Sequence, residues 1–226
     1  NNTEILNNLA KSYLAIHLYD DAIDTLQKSI ILDDKNYDTY FNLGITHFNQ
    51  GNYNESLKNY KYAIKLNNQI DKIHYNMAIT LSKKGNNKEA INFLLETLKL
   101  NPNHIKALNN IGLLYIENNN YKLAFNYLKK AIDLNPIYSK AYNNLGALYF
   151  QIKDYKQALQ CFDKAFKLDT NLLSAGIQKY FLKRLSCDWS DEEDLKSLLI
   201  KTINSDEFIS PWFCLSMEDN INNHYL

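Results

Sequence analysis

The chain has 226 residues, of which 46% are hydrophobic and 22% charged, enough to bury a continuous core and too apolar for a disordered tail. Lysine and arginine balance aspartate and glutamate at 25 each, so the electrostatic surplus that a phosphate backbone demands is missing and nucleic acid is not an expected partner. The longest apolar runs, such as Ile111 to Ile116, fall far short of the roughly 18 residues needed to cross a bilayer, so no membrane role is expected. No signal peptide is visible, although the chain starts at Asn1 without a methionine. Cys161, Cys187 and Cys214 form no CxxC pair and no framework, which fits a reducing, cytoplasmic compartment.

The sequence repeats itself without gaps every 34 residues, at 3–36, 37–70, 71–104, 105–138 and 139–172. Three positions in each unit are small. The eighth is Ala10, Gly44, Ala78, Gly112 and Gly146. The twentieth is Ala22, Ser56, Ala90, Ala124 and Ala158, and the twenty-seventh is Ser29, Ala63, Thr97, Ala131 and Ala165. Two antiparallel helices per unit, and the first helix of the next, approach to roughly 8–10 Å only where contact residues are small. Large residues at helical spacing, such as Leu43, His47 and Tyr60, fill the space between. Gly51 and Gly85 stand at the turn between helices, where a left-handed residue is easiest for glycine. Asn119 tolerates that conformation, while His17 and Lys153 depart from the pattern. Pro102 and Pro136 mark junctions to the following unit.

The fifth unit carries Tyr142, Leu145-Gly146, Tyr149, Tyr155, Ala158, Phe162, Ala165 and Leu168. With that pattern, residues 3–172 resemble the tetratricopeptide repeat (TPR) family. The resemblance implies an all-α fold: a right-handed α-solenoid of five helix pairs that exposes the first helix of each pair along a concave groove. It implies a polypeptide or protein as partner, bound in that groove. The oligomeric state stays open.

Position six is asparagine in every unit: Asn8, Asn42, Asn76, Asn110 and Asn144. With 32 asparagines in the chain, five chance hits have a probability on the order of 10⁻⁴ to 10⁻⁵. An amide donates and accepts, so it can pair with a peptide N–H and C=O at once. Helix pairs about 10 Å apart and an extended chain rising about 3.3 Å per residue would bring one amide to every third residue of a bound peptide. The alternative is that these amides bond between adjacent first helices. Position five is mixed, with Asn7, Phe41, Tyr75, Asn109 and Asn143, and Tyr75, Asn109 and Asn143 join the candidate groove. Position nine gives Lys11, Ile45, Ile79, Leu113 and Ala147. The clamp for a carboxylate tail in TPR co-chaperones pairs lysine at five with asparagine at six and nine. Only the position-six asparagine matches here, so a chaperone tail is not the expected ligand. Lys72, Lys106 and Lys140 recur at position two and read as a solvated face.

After Thr170 the repeat stops, since Tyr180 falls where a small residue is required. Leu173, Ile177, Tyr180, Phe181 and Leu185 define an amphipathic helix that caps the array, and residues 173–226 form a capping helix and short helical linker. Cys187 reads as a packed thiol and Trp189 as a buried anchor. Ser190 and Glu193 form a capping box for a helix with Leu195, Leu198, Leu199 and Ile203. A turn at Asn204-Ser205-Asp206 then leads to Ser210-Pro211-Trp212-Phe213, Leu215-Ser216 and Asp219. Residues 177–219 thereby resemble the linker that joins TPRs to the catalytic domain in O-GlcNAc transferase-like (SPINDLY-type) proteins. The resemblance implies an acceptor-recognition arm for an enzyme that moves N-acetylglucosamine from UDP-GlcNAc to Ser or Thr hydroxyls. The two-lobed transferase of that family lies after this point, so no catalytic residue is carried over. A free-standing interaction scaffold is the alternative. Within the 226 residues no nucleophile, base and stabiliser come together and there is no phosphate loop, so no enzymatic activity and no cofactor are expected of the fragment itself. The five histidines, His17, His47, His74, His104 and His224, are too scattered for a metal site. The glycosylation-like triplets Asn1-Asn2-Thr3 and Asn54-Glu55-Ser56 read as accidental.

Overall fold

A computed structural model describes residues 2–188 together with residues 197 and 198. Eleven helices make up the described residues, with no strand among them. They run in pairs: α1 (Asn2–Ala15) with α2 (Tyr19–Leu32), α3 (Tyr37–Asn49) with α4 (Tyr53–Leu66), and α5 (Asp71–Lys83) with α6 (Asn87–Leu100). Then come α7 (Ile105–Glu117) with α8 (Tyr121–Leu134), α9 (Ser139–Gln151) with α10 (Tyr155–Leu168), and finally α11 (Leu173–Leu185). From α3 onward each first helix starts 34 residues after the one before. The fold is the α-solenoid that the repeat implies.

Each first helix ends in the same hydrogen-bonded turn. At Gly51 (φ 79°) the Gly51 N–H reaches Phe48 O at 3.0 Å, and the Asn52 N–H reaches His47 O at 2.8 Å. These two hydrogen bonds satisfy helix carbonyls that would otherwise be orphaned, and they require a left-handed residue. His17 (φ 62°) and Lys153 (φ 63°) adopt the same conformation, as does Asn119 (φ 57°). The expectation that His17 and Lys153 depart from the pattern is therefore corrected at the level of backbone. The closing bonds Leu18 N–H to Tyr13 O (3.0 Å) and Asp154 N–H to Tyr149 O (2.9 Å) hold them there. His17 gains a local contact as well, its Nδ1 lying 2.8 Å from the Tyr19 hydroxyl.

Close packing explains the small positions. A Cβ built on Gly112 would come 2.6 Å from Leu128 Cγ, and one on Gly146 would come 2.8 Å from Phe162 Cδ1. The ring of Tyr60 occupies the equivalent place against Gly44. Large side chains of the second helices are thus seated directly on the backbone of the first.

The chain divides into two compact units, with the boundary between Asn135 and Pro136. The first contains α1 to α8. Its core runs through Tyr60, Ile73, Met77, Leu94 and Ile111, each at most 1% exposed, with Ala10, Leu26 and Leu43 at the N-terminal end. Polar ties 30 residues apart join successive pairs at the surface, Gln50 to Asp20, Lys84 to Asn54 and Asn87 to Glu117, while Asn101 to Asp71 closes the α5–α6 pair on itself.

The second unit holds α9 to α11. Phe162 is its centre, packed with Ala158 and Leu182. Leu173, Ile177 and Tyr180 of α11 cluster with Leu198 and Phe166. The helix buries two faces, one through Leu182 and the other through this cluster. Leu185, expected on the buried stripe, is consequently 58% exposed, and Leu182 takes the inner place. Tyr180 is accommodated because smallness has moved one turn earlier. A Cβ on Gly176 would lie 2.7 Å from Leu198 Cδ2 and 2.9 Å from Phe166 Cε2.

Cys187 is exposed with φ 57°, at the turn that ends α11, which corrects its reading as a packed thiol. Cys161 is buried, and burial pushes its thiol up to about 11, with Asp154 adding to the shift. Trp189, the Ser190–Glu193 capping box, Leu195, Leu199, Ile203 and the motif over 204–219 lie outside the described residues.

Candidate polypeptide-binding face

The asparagines of position six occur on α1, α3, α5, α7 and α9, and their surroundings differ. Asn42 is the most enclosed, at 3% exposure. Its amide N–H groups donate to Asn7 Oδ1 at 2.8 Å and to Asp38 Oδ2 at 3.3 Å, tying α3 to α1. Asp38 also receives the Lys11 ammonium at 3.1 Å. That pair is half exposed and adds little by itself. Asn76 donates back along its own helix to Lys72 O at 2.8 Å. Asn110 donates to the Tyr75 hydroxyl at 3.2 Å and accepts from the Asn109 amide at 3.2 Å, tying α7 to α5. Asn8 is exposed on α1.

Asn42 thus spends both of its amide N–H groups inside the protein, and Asn76 and Asn110 spend one each. The acceptor side is not engaged in the same way. Asn42 Oδ1 and Asn76 Oδ1 have no partner among the described residues, whereas Asn110 Oδ1 is taken by Asn109. An amide oxygen with two lone pairs and no donor is a ready acceptor for a peptide N–H. The face therefore offers acceptors at Asn42 and Asn76.

Three residues beyond each of these amides lies an aliphatic residue on the same side of its helix: Ile45 on α3, Ile79 on α5 and Leu113 on α7. Ile45 and Ile79 are half-buried and Leu113 is 36% exposed. Amide and aliphatic side chains thus alternate along the first-helix face of the first unit. Tyr75 packs its ring against His104, tilted by 31° with centroids 4.7 Å apart, and burial holds its hydroxyl above the usual phenol range against the opposing bond from Asn110. It stays a neutral partner for Asn110. Lys72, Lys106 and Lys140 are exposed.

Asn7 and Asn109, from position five, are buried to 2% and 4% exposure and belong to the framework behind the face. Asn7 donates to Thr3 O, Ser29 Oγ and Thr39 Oγ1 at 3.0, 3.3 and 2.9 Å. No spacing rule pointed to this network, because its members come from three helices. The position-five and position-27 identities, Asn7 and Ser29, are the signal that could have found it: both are polar where Phe41 and Ala63 stand in the next unit. Asn143 and Asn144 stand on α9 in the second unit, both half-buried, and Asn143 Oδ1 is enclosed without a hydrogen-bond partner. Of the repeat histidines, His104 caps α7 by accepting the Ala107 N–H at 3.1 Å, and buried His74 pairs its Nε2 with Asn68 O at 3.0 Å.

Among the described residues no helix is long and apolar enough to cross a membrane. Family models for the tetratricopeptide repeat match residues 37–69 and 139–172, and residues 69–137, together more than half of the chain. No curated protein matches the chain. Among solved structures, PilF of Pseudomonas aeruginosa superposes with a TM-score of 0.76 at 18% identity, over 88% of this chain and 89% of PilF. A tetratricopeptide repeat protein of Parabacteroides merdae gives 0.74 at 21% identity, over 92% of this chain and 81% of its own. YrrB, described as a TPR protein with an unusual peptide-binding site, gives 0.64 at 20% identity, over 75% of this chain and 88% of its own. At these identities the likeness is one of fold. With the repeat models covering most of its helix pairs, the chain belongs to the tetratricopeptide repeat family.

Proposed function

We propose that this chain is a scaffold that holds extended polypeptide on the first-helix face of its first unit, gripping backbone N–H groups with the amide oxygens of Asn42 and Asn76. The observation that carries this reading is the pair of unengaged amide oxygens, each followed three residues later by a half-buried isoleucine. Asn8 adds an exposed amide at one end, and Asn110 with Tyr75 and Asn109 adds a rigid, internally paired wall at the other. Asn143 and Asn144 extend the same residue pattern to the second unit. Family membership supports the reading, as does the peptide-binding site reported for YrrB.

The test replaces Asn42 and Asn76 with aspartate-free, uncharged substitutes: Asn76→Ala alone, then Asn42→Ala with Asn76→Ala. Binding of uncharged extended peptides of about ten residues is measured beside melting. Asn76→Ala should weaken binding about 2- to 10-fold, the range for one neutral hydrogen bond, with melting nearly unchanged. Loss of melting temperature with no separate binding defect would mean that the amides serve only the fold.

A narrower reading rests on the resemblance of residues 177–219 to the linker of O-GlcNAc transferase-like proteins. On it, the scaffold is the acceptor-recognition arm of a cytoplasmic enzyme that uses UDP-GlcNAc, and the fragment itself is not catalytic. The free-standing scaffold is the alternative. Expression of the whole gene and assay for GlcNAc transfer to protein separates the two, since only the first predicts turnover.

A further inference from the structure

The outer side of α1 is apolar and open. Ile5, Leu9 and Ser12 share one side of the helix, and Ile16 continues that stripe at the turn that follows. Ile5 is 64% exposed, Leu9 42% and Ile16 63%. The later repeats treat the same positions differently. The third and seventh positions are Thr39 and Leu43 on α3, Ile73 and Met77 on α5, and Ala107 and Ile111 on α7, and all six are buried. Ile73 is the same residue as Ile5, yet it has no exposed surface. In each case the cover comes from the second helix of the repeat before. Thr39 Oγ1 lies 3.1 Å from Ser29 Oγ of α2, and Leu43 clusters with Ala22 and Leu26 of α2. Ile73 and Met77 share a core with Tyr60 and Ala63 of α4, and Ala107 and Ile111 share it with Ala90 and Leu94 of α6. A solenoid repeat buries its apolar faces only against neighbours, and α1 presents such a face on its outer side.

We propose that this side of α1 is a stacking surface for one further second-type helix, supplied by the same polypeptide from the segment that leads into Asn1. A second copy of the chain has none to lend among α2, α4, α6 and α10. The first three are already covered by α3, α5 and α7, and Phe162 of α10 is covered by Leu182 of α11. A short connection is all the geometry needs, since residues 33–36 and 67–70 suffice to lay α2 on α3 and α4 on α5. The face also defines the chemistry of its partner. Opposite Ile5 the helix has a residue as small as Ala63, the room that Ile73 enjoys in the same register. Gln50 and Lys84, at the position of Ile16, meet Asp20 and Asn54 of the preceding second helix. Against Ile16 that polar residue is replaced by an apolar one. The inference needs only the repeat register, and stands whether or not the first-helix face holds peptide.

Cysteine accessibility tests the surface. Ile5→Cys and Leu9→Cys replace exposed side chains, so each should move the melting temperature of the 226-residue chain little and should be alkylated readily by iodoacetamide. Lys28→Cys, exposed on α2, serves as the reference, and peptide mapping separates all three from Cys187. In the purified product of the whole gene, Ile5→Cys and Leu9→Cys should react at least 10-fold more slowly than in the 226-residue chain, while Lys28→Cys keeps its rate. Equal rates in the two proteins would overturn the proposal. Slowing in the 226-residue chain that grows with its concentration would overturn it too, by making a second copy the occupant. Slowing in the whole product only after another protein is added would replace the segment before Asn1 with a separate partner.

Discussion

One amide on α1 shows how much a single buried polar residue carries. Asn7 donates to oxygens from α1, α2 and α3, and accepts from Asn42. Asn7→Ala removes the amide shared by buried Ser29 and Thr39 and by one Asn42 N–H, and should cost about 1–3 kcal/mol in urea unfolding. Asn8→Ala, next to it and exposed, should stay within about 0.5 kcal/mol. The sequence marked Asn8 and not Asn7, because a recurring position stands out and a network assembled from residues 22 and 32 apart does not. Lys153 makes the opposite case. A non-glycine residue in the left-handed region costs about 1–2 kcal/mol, partly offset by the extra chain entropy of glycine. Lys153→Gly should therefore raise the melting temperature by a few degrees, and a fall would show that the lysine side chain contributes more than its backbone costs. The thiols give a chemical check at the same scale. With its pKa near 11, Cys161 has about one thiolate per thousand thiols at pH 8. Peptide mapping after treatment with iodoacetamide should find Cys187 alkylated and Cys161 protected until the chain is unfolded.

At the scale of elements, the 34-residue period made the helix pairs legible because close packing leaves a mark in composition. Gly112 must be small because Leu128 sits on it, and Gly146 because Phe162 does. Gly112→Val would force Leu128 off its place and should destabilise the chain by about 1–3 kcal/mol, with Leu128→Ala partly rescuing the loss in a double-mutant cycle. Additive effects would show that the two residues do not share the space. The helix after the repeats was legible in position and not in detail. Tyr180 at the small position announced a change of packing, but that Gly176 would inherit the role depended on where Leu198 returns to the helix. A stripe drawn from helical periodicity alone selected Leu185. The double burial of α11 selected Leu182.

For the molecule as a whole, the charge balance of 25 against 25 and an amide-and-aliphatic face predict binding that salt barely alters. The asparagine ladder was visible in the sequence as a column of identical letters. What was not visible was that the column divides by function, since hydrogen bonding depends on neighbours 4 and 35 residues away. Asn110 closes on Tyr75 and Asn109, while Asn42 and Asn76 keep their oxygens open. The measurement that tests the central claim most directly compares an uncharged ten-residue peptide with its copy N-methylated at the backbone positions that meet Asn42 and Asn76. Removing two peptide N–H groups should weaken binding to the native chain by about 5- to 150-fold, and should have little effect on the Asn42→Ala, Asn76→Ala double variant. Equal affinity for both peptides, or an equal loss in the double variant, would contradict a grip on the backbone by these two amide oxygens.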